Sequence, residues 1–298
     1  MNVVVAGHLV LDEIHVLSGE VHESLGGISF PLFTFSALAD ANTQIIPVFS
    51  LGRDAREAFD RTRRLHPRIV DAGVFAVDQP STRVQLFHDS LSHYNTRLVE
   101  SHPPIPYERL EPFLDIADLV YVNMMTREDV GAETLRQIRQ STDGMLYIDV
   151  HMLAYGVHSD GARYIESVAR WKSWIEHADI VQCNEREFAA LIPGASNDED
   201  RASTAFAETG IREIVVTRGE QGADIYSRAS APVHIPAQLH PDPVDPTGCG
   251  DAFGSTYAYY RTEGRDIQEA GTLAARAAAF IVGIPGSKGI ENLKEHIR

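Results

Sequence analysis

The chain has 298 residues, of which 44% are hydrophobic and 23% charged, and its formal net charge at pH 7 is −16. This composition is ordinary for a soluble globular protein and allows at most two domains. The acidic balance argues against a broad nucleic-acid surface, which needs clustered Lys and Arg. No apolar run approaches the roughly 18 residues of a membrane span. Two cysteines, Cys183 and Cys249, exclude a disulfide framework and a cysteine-rich zinc site, and favour a cytoplasmic location.

Short apolar runs alternate with helical patterns along the chain. Residues 3–6 predict a first strand, because the N-terminal segment lacks the basic region and the cleavage-like site of a signal peptide. Strands buried on both faces are expected at 45–49, 119–122, 145–150, 180–183 and 214–217. Helical spacing is found at 33–41, 132–140, 164–176 and 202–208. The alternation predicts a three-layer α/β/α sandwich around a central, mostly parallel sheet.

One segment breaks this pattern. Residues 82–89 (TRVQLFHD) alternate between apolar and polar, and 94–100 form a second strand-like piece after a polar turn around 90–93. Together they predict an antiparallel hairpin with one solvated face. Such a sheet beside a parallel core is often a lid over a site, and a plain edge hairpin is the alternative. We therefore expect one domain over 1–298, with a small antiparallel β lid formed by about 13–24 and 80–100.

The most informative stretch reads PVDPTGCGDAFGSTYAYY, from Pro243 to Tyr260. Its glycines permit backbone conformations closed to other residues and leave amides open to an anion. A helix is predicted over 252–260, and its positive end would face the turn and favour a phosphate. Asp251 at the helix start could accept a hydroxyl proton there. The alternative is that Asp251 only stabilises the helix start and the glycines make a tight turn.

Other catalytic motifs are missing from the sequence. There is no GxxxxGK[ST] loop, and Phe253 stands where a dinucleotide fingerprint needs glycine. Protein-kinase signatures and an HExxH zinc motif are also absent. These absences disfavour a dehydrogenase and a catalytic zinc enzyme.

The run DPTGCGDAF, which begins at Asp245, resembles the second signature of the ribokinase (PfkB carbohydrate kinase) family, usually close to DTxGAGD followed by an aromatic residue. Pro246 and Cys249 are mild departures. Further landmarks occur in the family's order across almost the whole chain: Gly7, Asp12, Gly26-Gly27, Asn184-Glu185-Arg186-Glu187, and Val216-Thr217-Arg218-Gly219 with Gly222. The resemblance implies a ribokinase-like fold and an ATP-dependent small-molecule kinase.

The resemblance assigns roles around the transferred phosphate. It implies that Asp251 is the general base and that the amides of three residues form an anion hole, namely Gly248, Cys249 and Gly250. Glu187 would organise water around Mg²⁺. The nucleotide would be bound by Asn184, Thr217, Gly219 and Gly222. The alternative for Asn184 and Glu187 is a simple capping box at a helix start. The alternative for Thr217 and Gly219 is an ordinary turn after a strand.

The substrate would be bound at the other end of the expected cleft. The resemblance places Asp12, Gly26 and Gly27 there, and a solvated loop aspartate is the alternative for Asp12. His151 follows a predicted strand and is expected to face the same cleft. Asp245 would bind a monovalent cation such as K⁺, as in several family members, although a turn aspartate before proline needs no ligand.

The sequence departs from the sugar-kinase pattern after the glycine pair. The family commonly has an asparagine there that binds substrate hydroxyls, whereas this chain continues Ile28-Ser29-Phe30. An aromatic wall, with only Arg83 and Arg97 nearby as phosphate clamps, favours an unphosphorylated, neutral sugar, polyol or nucleoside. A non-catalytic ligand-binding or regulatory protein on the same fold is the alternative. The family often pairs the lid between subunits, so a homodimer is an option that the hairpin pattern alone does not establish.

Overall fold

The computed structural model describes residues 1–15, 19–88 and 94–297. The predicted turn around 90–93 and residues 16–18 of the predicted lid therefore lie outside the described residues. The strands are β1 (Asn2–Ala6), β2 (Leu9–His15), β3 (Val21–Gly27), β4 (Gln44–Leu51), β5 (Gly73–Ala76), β6 (Thr82–His88), β7 (Tyr94–Glu100), β8 (Leu119–Asn123), β9 (Met145–Asp149), β10 (Tyr155–Val157), β11 (Arg163–Ile165), β12 (Ile180–Asn184), β13 (Glu213–Thr217), β14 (Ala223–Ser227) and β15 (Val233–Ile235). The α-helices are α1 (Ser29–Leu38), α2 (Arg56–Arg63), α3 (Tyr107–Leu114), α4 (Ala132–Ser141), α5 (Trp171–Ile175), α6 (Glu185–Leu191), α7 (Asp198–Glu208), α8 (Cys249–Thr262), α9 (Ile267–Val282) and α10 (Leu293–Ile297).

The central sheet has nine strands in the order β15-β14-β13-β12-β9-β8-β1-β4-β5. Its strands are parallel from β13 to β5, and β14 and β15 add an antiparallel edge. Successive side chains of β1 point to opposite faces, so Val3 and Val5 enter one core and Val4 enters the other. Helices α1, α8 and α9 cover the first face, and α3, α4 and α6 cover the second. The predicted three-layer α/β/α sandwich is confirmed.

A second, smaller sheet lies beside the carboxyl ends of the central strands and has the order β3-β2-β6-β7. We call it the small sheet. The β2–β3 and β6–β7 pairs are antiparallel, as a lid hairpin requires, whereas β2 and β6 are parallel. One face buries an apolar cluster against the core, formed by Val10, Ile14, Val84, Leu86 and Met125. The alternation of β6 follows from this one-sided burial.

The helix predicted over 164–176 forms only in its second half. Arg163–Ile165 instead pairs antiparallel with Tyr155–Val157 as a short hairpin. Arg170 has a left-handed φ of 51°, which ends any helix that would extend upstream of Trp171. The prediction was therefore wrong for residues 164–170, because cross-strand pairing with β10 overrides the local helical spacing.

Within the described part of the chain, every helix is too short or too polar to cross a membrane.

Candidate active site

A cavity of about 210 Å³ lies where the small sheet faces the carboxyl ends of the central strands and the start of α8. Parallel α/β sheets generally bind ligands at this edge. Ten of the residues predicted for the site line the cavity: Asp12, Gly27, Phe30, His151, Asn184, Glu187, Thr217, Gly248, Gly250 and Asp251. Gly26, Cys249, Gly219, Gly222 and Asp245 were also predicted, and they lie in the segments that flank these residues.

The turn before α8 takes its shape from Gly248. Gly248 caps the helix with a left-handed φ of 81°, and a Cβ at this position would lie 2.2 Å from Cδ1 of Phe30. The ring of Phe30 therefore packs directly on the glycine turn, which explains why an aromatic residue follows the glycine pair in this chain. Helical bonding in α8 begins with the Ala252 N–H, which donates to Gly248 O at 2.9 Å. The amides before Ala252 point out of the helix end, where an anion is favoured.

The three predicted anion-hole amides are not equivalent. The Cys249 N–H donates to Pro246 O at 3.2 Å, so the turn already uses it. Gly248 and Gly250 line the cavity, and a Cβ at Gly250 would meet no atom within 4 Å. Thr247, which the sequence did not single out, also lines the cavity. Its hydroxyl is buried and has no hydrogen-bond partner among the described residues. An unpaired buried donor beside open amides fits an anion.

Asp251 is in the first turn of α8, and its carboxylate is held from the sheet. The Asn123 Nδ2, at the end of β8, donates to Asp251 Oδ1 at 2.8 Å. Burial raises the pKa of Asp251, whereas the charge of His151 and the Asn123 hydrogen bond lower it. The net shift is upward, toward the range in which a carboxylate is an effective general base near neutral pH.

Two further carboxylates, Asp149 and Glu187, and one histidine, His151, lie beside Asp251. His151 Nδ1 lies 3.6 Å from Glu187 Oε1. Burial opposes the charge of His151, but the carboxylates of Glu187, Asp149 and Asp251 outweigh it and raise the pKa of His151 to about 9. Burial raises the pKa of Asp149 to about 8, although the His151 charge acts in the opposite direction. His151 thus lines the cavity next to Glu187, the residue predicted to organise water around Mg²⁺.

Gln182 connects this carboxylate cluster to the start of α8. Its Nε2 donates to Asp149 Oδ2 at 3.0 Å and to Gly250 O at 2.9 Å. The Tyr147 hydroxyl donates to Gln182 Oε1 at 2.7 Å and fixes the amide orientation. Sequence reasoning missed Asn123, Asp149 and Gln182. The available signal was a polar residue within or at the end of an otherwise apolar parallel strand.

Asn184 and Glu187 form a capping box at the start of α6. Asn184 Oδ1 accepts from the Glu187 N–H at 2.9 Å, and Glu187 Oε2 accepts from the Asn184 N–H at 2.8 Å. The simple capping interpretation therefore describes real contacts. Both residues also line the cavity, and Glu187 Oε1 is the oxygen that faces His151. The capping box thus uses Oε2 of Glu187, and the other oxygen, Oε1, lies next to His151.

The cavity fits a water-mediated Mg²⁺ better than a directly liganded ion. Among the described residues, no group of three or more His, Cys, Asp or Glu side chains is placed to hold a metal. The carboxylates of Asp149, Glu187 and Asp251 nevertheless share one wall, and their mutual repulsion contributes to the raised pKa of Asp149. Mg²⁺ retains several waters and is often bound by only one or two carboxylates. Glu187 and Asp149 fit that description.

Asp12 lines the cavity from within strand β2. It is 7% exposed, which excludes the alternative of a solvated loop aspartate. Gly26 makes room for it, since a Cβ there would lie 1.8 Å from Asp12 Oδ2. Gly27 has a left-handed φ of 60°, and a Cβ would lie 2.4 Å from His8 O. The glycine pair therefore shapes the surroundings of Asp12.

The arginines around Asp12 differ from those expected. Arg83 donates to Glu23 at 2.9 Å and Arg97 lies 3.8 Å from Asp160, and neither lines the cavity. Arg163, from β11, does line it. Burial raises the pKa of Asp12 to about 7, and the Arg163 charge is the largest influence that opposes this rise. Sequence reasoning missed Arg163, which lies just before the segment 164–176 that was predicted to be helical.

The loop after β13 has the geometry of a tight turn. Thr217 ends the strand and lines the cavity. The Gly222 N–H donates to Gly219 O at 3.0 Å, and both glycines have left-handed φ values of 53° and 96°. A Cβ at Gly222 would lie 2.0 Å from Ile235 O. The strand-to-turn interpretation thus accounts for Gly222, and only Thr217 of this segment faces the cavity directly.

Asp245 organises the loop before α8. Its Oδ1 accepts from the Thr247 N–H at 2.9 Å, and its Oδ2 accepts from the Gly286 N–H at 3.2 Å. Both oxygens therefore have backbone partners, as the turn interpretation expects. A role of Asp245 toward a monovalent cation stays a prediction.

Comparison with known proteins supports the kinase resemblance. The family model described as pfkB family carbohydrate kinase matches residues 112–292. Ribokinase of Bacillus subtilis (strain 168) is 36% identical over 115 residues, which are 39% of this chain and 36% of the relative. The chain thus matches only about a third of that relative's length.

Solved structures share the fold over the full length. A pyrophosphate-dependent kinase in the ribokinase family, complexed with a pyrophosphate analog and myo-inositol, has a TM-score of 0.80 at 15% identity and covers 99% of each chain. The Burkholderia thailandensis nucleoside kinase in complex with inosine has a TM-score of 0.76 at 21% identity. The match covers 100% of this chain and 95% of the nucleoside kinase chain. Such identities establish the ribokinase-like fold alone. Because the family model spans more than half of the 298 residues, the chain belongs to the pfkB family of carbohydrate kinases.

Proposed function

We propose that this protein is an ATP-dependent kinase that phosphorylates a hydroxyl of a small neutral sugar, polyol or nucleoside. The observation that carries the proposal is the position of Asp251. Its carboxylate lies at the amide-rich start of α8, and the buried Asp12 lines the same cavity. A base, an anion site and a hydroxyl-binding carboxylate in one cavity are the parts that phosphoryl transfer to an alcohol needs.

In this proposal Asp251 accepts the proton of the substrate hydroxyl as the hydroxyl oxygen attacks. The amides of Gly248 and Gly250, with the Thr247 hydroxyl, stabilise the charge that develops on the transferred phosphoryl group. ATP with Mg²⁺ supplies that group when bound, and Thr217, Asn184 and Glu187 are the residues that would hold it. Asn123 and Gln182 fix Asp251 and the helix start from the sheet side.

Support for a neutral acceptor comes from the charges around Asp12. Arg83 and Arg97, the two arginines near the small sheet that could clamp a phosphate, are engaged with acidic residues outside the cavity. Arg163 is a single cation beside a single carboxylate, so the pair carries no net charge toward a ligand. The apolar ring of Phe30 and the small-sheet side chains Val84 and Leu86 complete the walls.

The alternative is a non-catalytic ligand-binding protein on the same fold. Loss of the base or of the helix-start glycines would favour it, and Asp251, Gly248 and Gly250 are all present. The donor is a separate question, because the structural relative named above uses pyrophosphate. A test of the function therefore includes both donors.

The test is Mg²⁺-dependent turnover with ATP or pyrophosphate and a panel of sugars, polyols and nucleosides. Asp251→Asn keeps the side-chain shape and removes the base, so we expect it to lower kcat by orders of magnitude with little effect on donor binding. Asp266→Asn is the matched control, since Asp266 also stands at a helix start but caps α9 outside the cavity. Turnover that is equal in both variants would show that Asp251 is only a helix-start residue.

We also propose that the small sheet acts as the lid and forms a homodimer contact. Val21, Phe87 and Val99 are apolar side chains of this sheet that are 52%, 37% and 50% exposed. Burial of such side chains between subunits is favourable by about 25 cal/mol per Å². Light scattering after size exclusion tests the dimer, and Phe87→Glu is expected to shift it to monomer.

A further inference from the structure

The hairpin of β10 and β11 joins the small sheet to the central sheet. At its tip, Gly161 O accepts from the Leu98 N–H of β7 at 2.9 Å, and Arg97 and Ala162 form an antiparallel bridge. At its base, the Glu166 N–H donates to Ala154 O at 3.0 Å. The hairpin thus extends the edge of the small sheet and encloses the substrate end of the cavity.

The first residue of β11 places a cation inside that end. Arg163 Nη2 donates to Met125 O at 2.9 Å, and both residues line the cavity together with Asp12. This bond fixes the guanidinium against the loop after β8. Of the charges that lower the pKa of Asp12, that of Arg163 has the largest effect, and both residues line the same cavity.

The two groups have opposite hydrogen-bonding capacities. Above about pH 7 the Asp12 carboxylate is ionised and only accepts, whereas the Arg163 guanidinium only donates. A hydroxyl can donate to the first, and the oxygen of an adjacent hydroxyl can accept from the second. Val84, Leu86 and Met125 form apolar parts of the walls here, and Thr96 of β7 adds a polar side chain. An apolar wall opposite a paired acceptor and donor suits a ring with a C–H face and hydroxyls along one edge.

We propose that Arg163 is a specificity-determining residue that, together with Asp12, recognises two neighbouring hydroxyls on a neutral ring substrate. The inference rests on the proposed kinase function but concerns binding alone. Arg163 therefore determines which acceptors bind, and Asp251 determines whether they react.

The experiment measures binding by calorimetry to full-length Asp251→Asn protein, which separates recognition from turnover. The probes are myo-inositol, D-ribose and inosine, each paired with its deoxy analogue that lacks one of two adjacent hydroxyls. We expect at least one parent compound to bind ten-fold or more tightly than its deoxy analogue. Adding Arg163→Gln should remove that difference, because it should weaken the binding of the parent compound and leave that of the deoxy analogue unchanged. Arg163→Lys should restore part of the difference, because lysine still donates hydrogen bonds but lacks the planar fork of the guanidinium.

Arg83→Gln is the matched control, since Arg83 belongs to the small sheet but does not line the cavity, and it should change neither affinity. Thermal unfolding checks that the hairpin still folds in Arg163→Gln. Unchanged affinity for the parent compound in Arg163→Gln would overturn the inference. So would tighter binding of D-glucuronate than of any neutral probe, or no binding by any of the vicinal diols. Failure of the proposed kinase function would look different. The wild-type protein would then turn over neither ATP nor pyrophosphate, yet it would still bind each parent compound more tightly than its deoxy analogue.

Discussion

Asn123 donates a 2.8 Å hydrogen bond to Asp251, and the two residues are 128 positions apart in sequence. One ends a central strand and the other begins the helix that packs over the sheet. The bond therefore ties the position of the proposed base to the strand register, and it also affects ionisation, because a donor to a carboxylate stabilises the charged form.

Asn123→Ala should impair activity most at low pH. The hydrogen bond lowers the pKa of Asp251, so its loss raises that pKa and leaves the base protonated over a wider range. We expect the acidic limb of the kcat/KM profile to move to higher pH and the rate at pH 8 to fall less than the rate at pH 6. A uniform loss at all pH values would indicate that Asn123 affects only the position of Asp251.

Gly248→Ala and Gly250→Ala should have opposite effects on stability. Alanine at Gly248 would adopt a left-handed φ at a cost of about 1–2 kcal/mol and would overlap Phe30, at about 1–3 kcal/mol more. Alanine at Gly250 meets no atom within 4 Å and is in a helix, where it gains about 0.5–1 kcal/mol. Chemical denaturation measures both changes.

The same pair tests the anion site. Because the Gly250 position faces the cavity, the Gly250→Ala methyl group should occupy space needed by the phosphoryl group and lower kcat despite the gain in stability. A stable and fully active Gly250→Ala protein would mean that the amide at this position does not contact the phosphoryl group.

The sequence was sufficient to predict features that depend on local conformation. Gly248 and the start of α8 were predictable because a left-handed turn before an apolar helix has few sequence solutions. The sheet was predictable because strands buried on both faces, such as β1 and β8, lose their polar alternation. The position of Asp12 after the first apolar run followed from the resemblance to the family.

Features that depend on pairing between distant segments were not predictable. Arg163 enters the cavity because β11 pairs with β10 and the hairpin bonds to Leu98, whereas the sequence that follows it, 164–176, was predicted to be helical. Gln182 is a polar residue within an apolar strand, and only the packing of α8 gives it a partner at Gly250. The spacing of apolar and polar residues along the sequence predicts neither the position of Arg163 nor the contact between Gln182 and Gly250.

Glu187→Gln should separate the metal role from the capping role. Glutamine retains an oxygen for the Asn184 N–H, so the capping box should persist, and the loss of stability should come mainly from the ion pair with His151, at about 1–3 kcal/mol. Removal of the charge should raise the Mg²⁺ concentration needed for half-maximal activity by ten-fold or more. Activity titrations with Mg²⁺ and parallel unfolding curves provide the measurement. If the Mg²⁺ dependence stays the same, Glu187 has only a structural role, as the partner of Asn184 and His151.

Asp149→Asn should make the unliganded protein less sensitive to alkaline pH. Burial raises the pKa of Asp149 from 3.8 to about 8, so between these values the folded state holds a proton that the unfolded state has lost. The free energy of unfolding of the wild type must therefore fall as pH rises through this window. Asparagine does not titrate and can still accept from Gln182 through its carbonyl oxygen. The stability of the variant relative to wild type should grow from about pH 4 to pH 8 and level off above it. Urea unfolding at several pH values measures the difference, and a difference that is constant or shrinks with pH would show that Asp149 is ionised in the folded protein throughout.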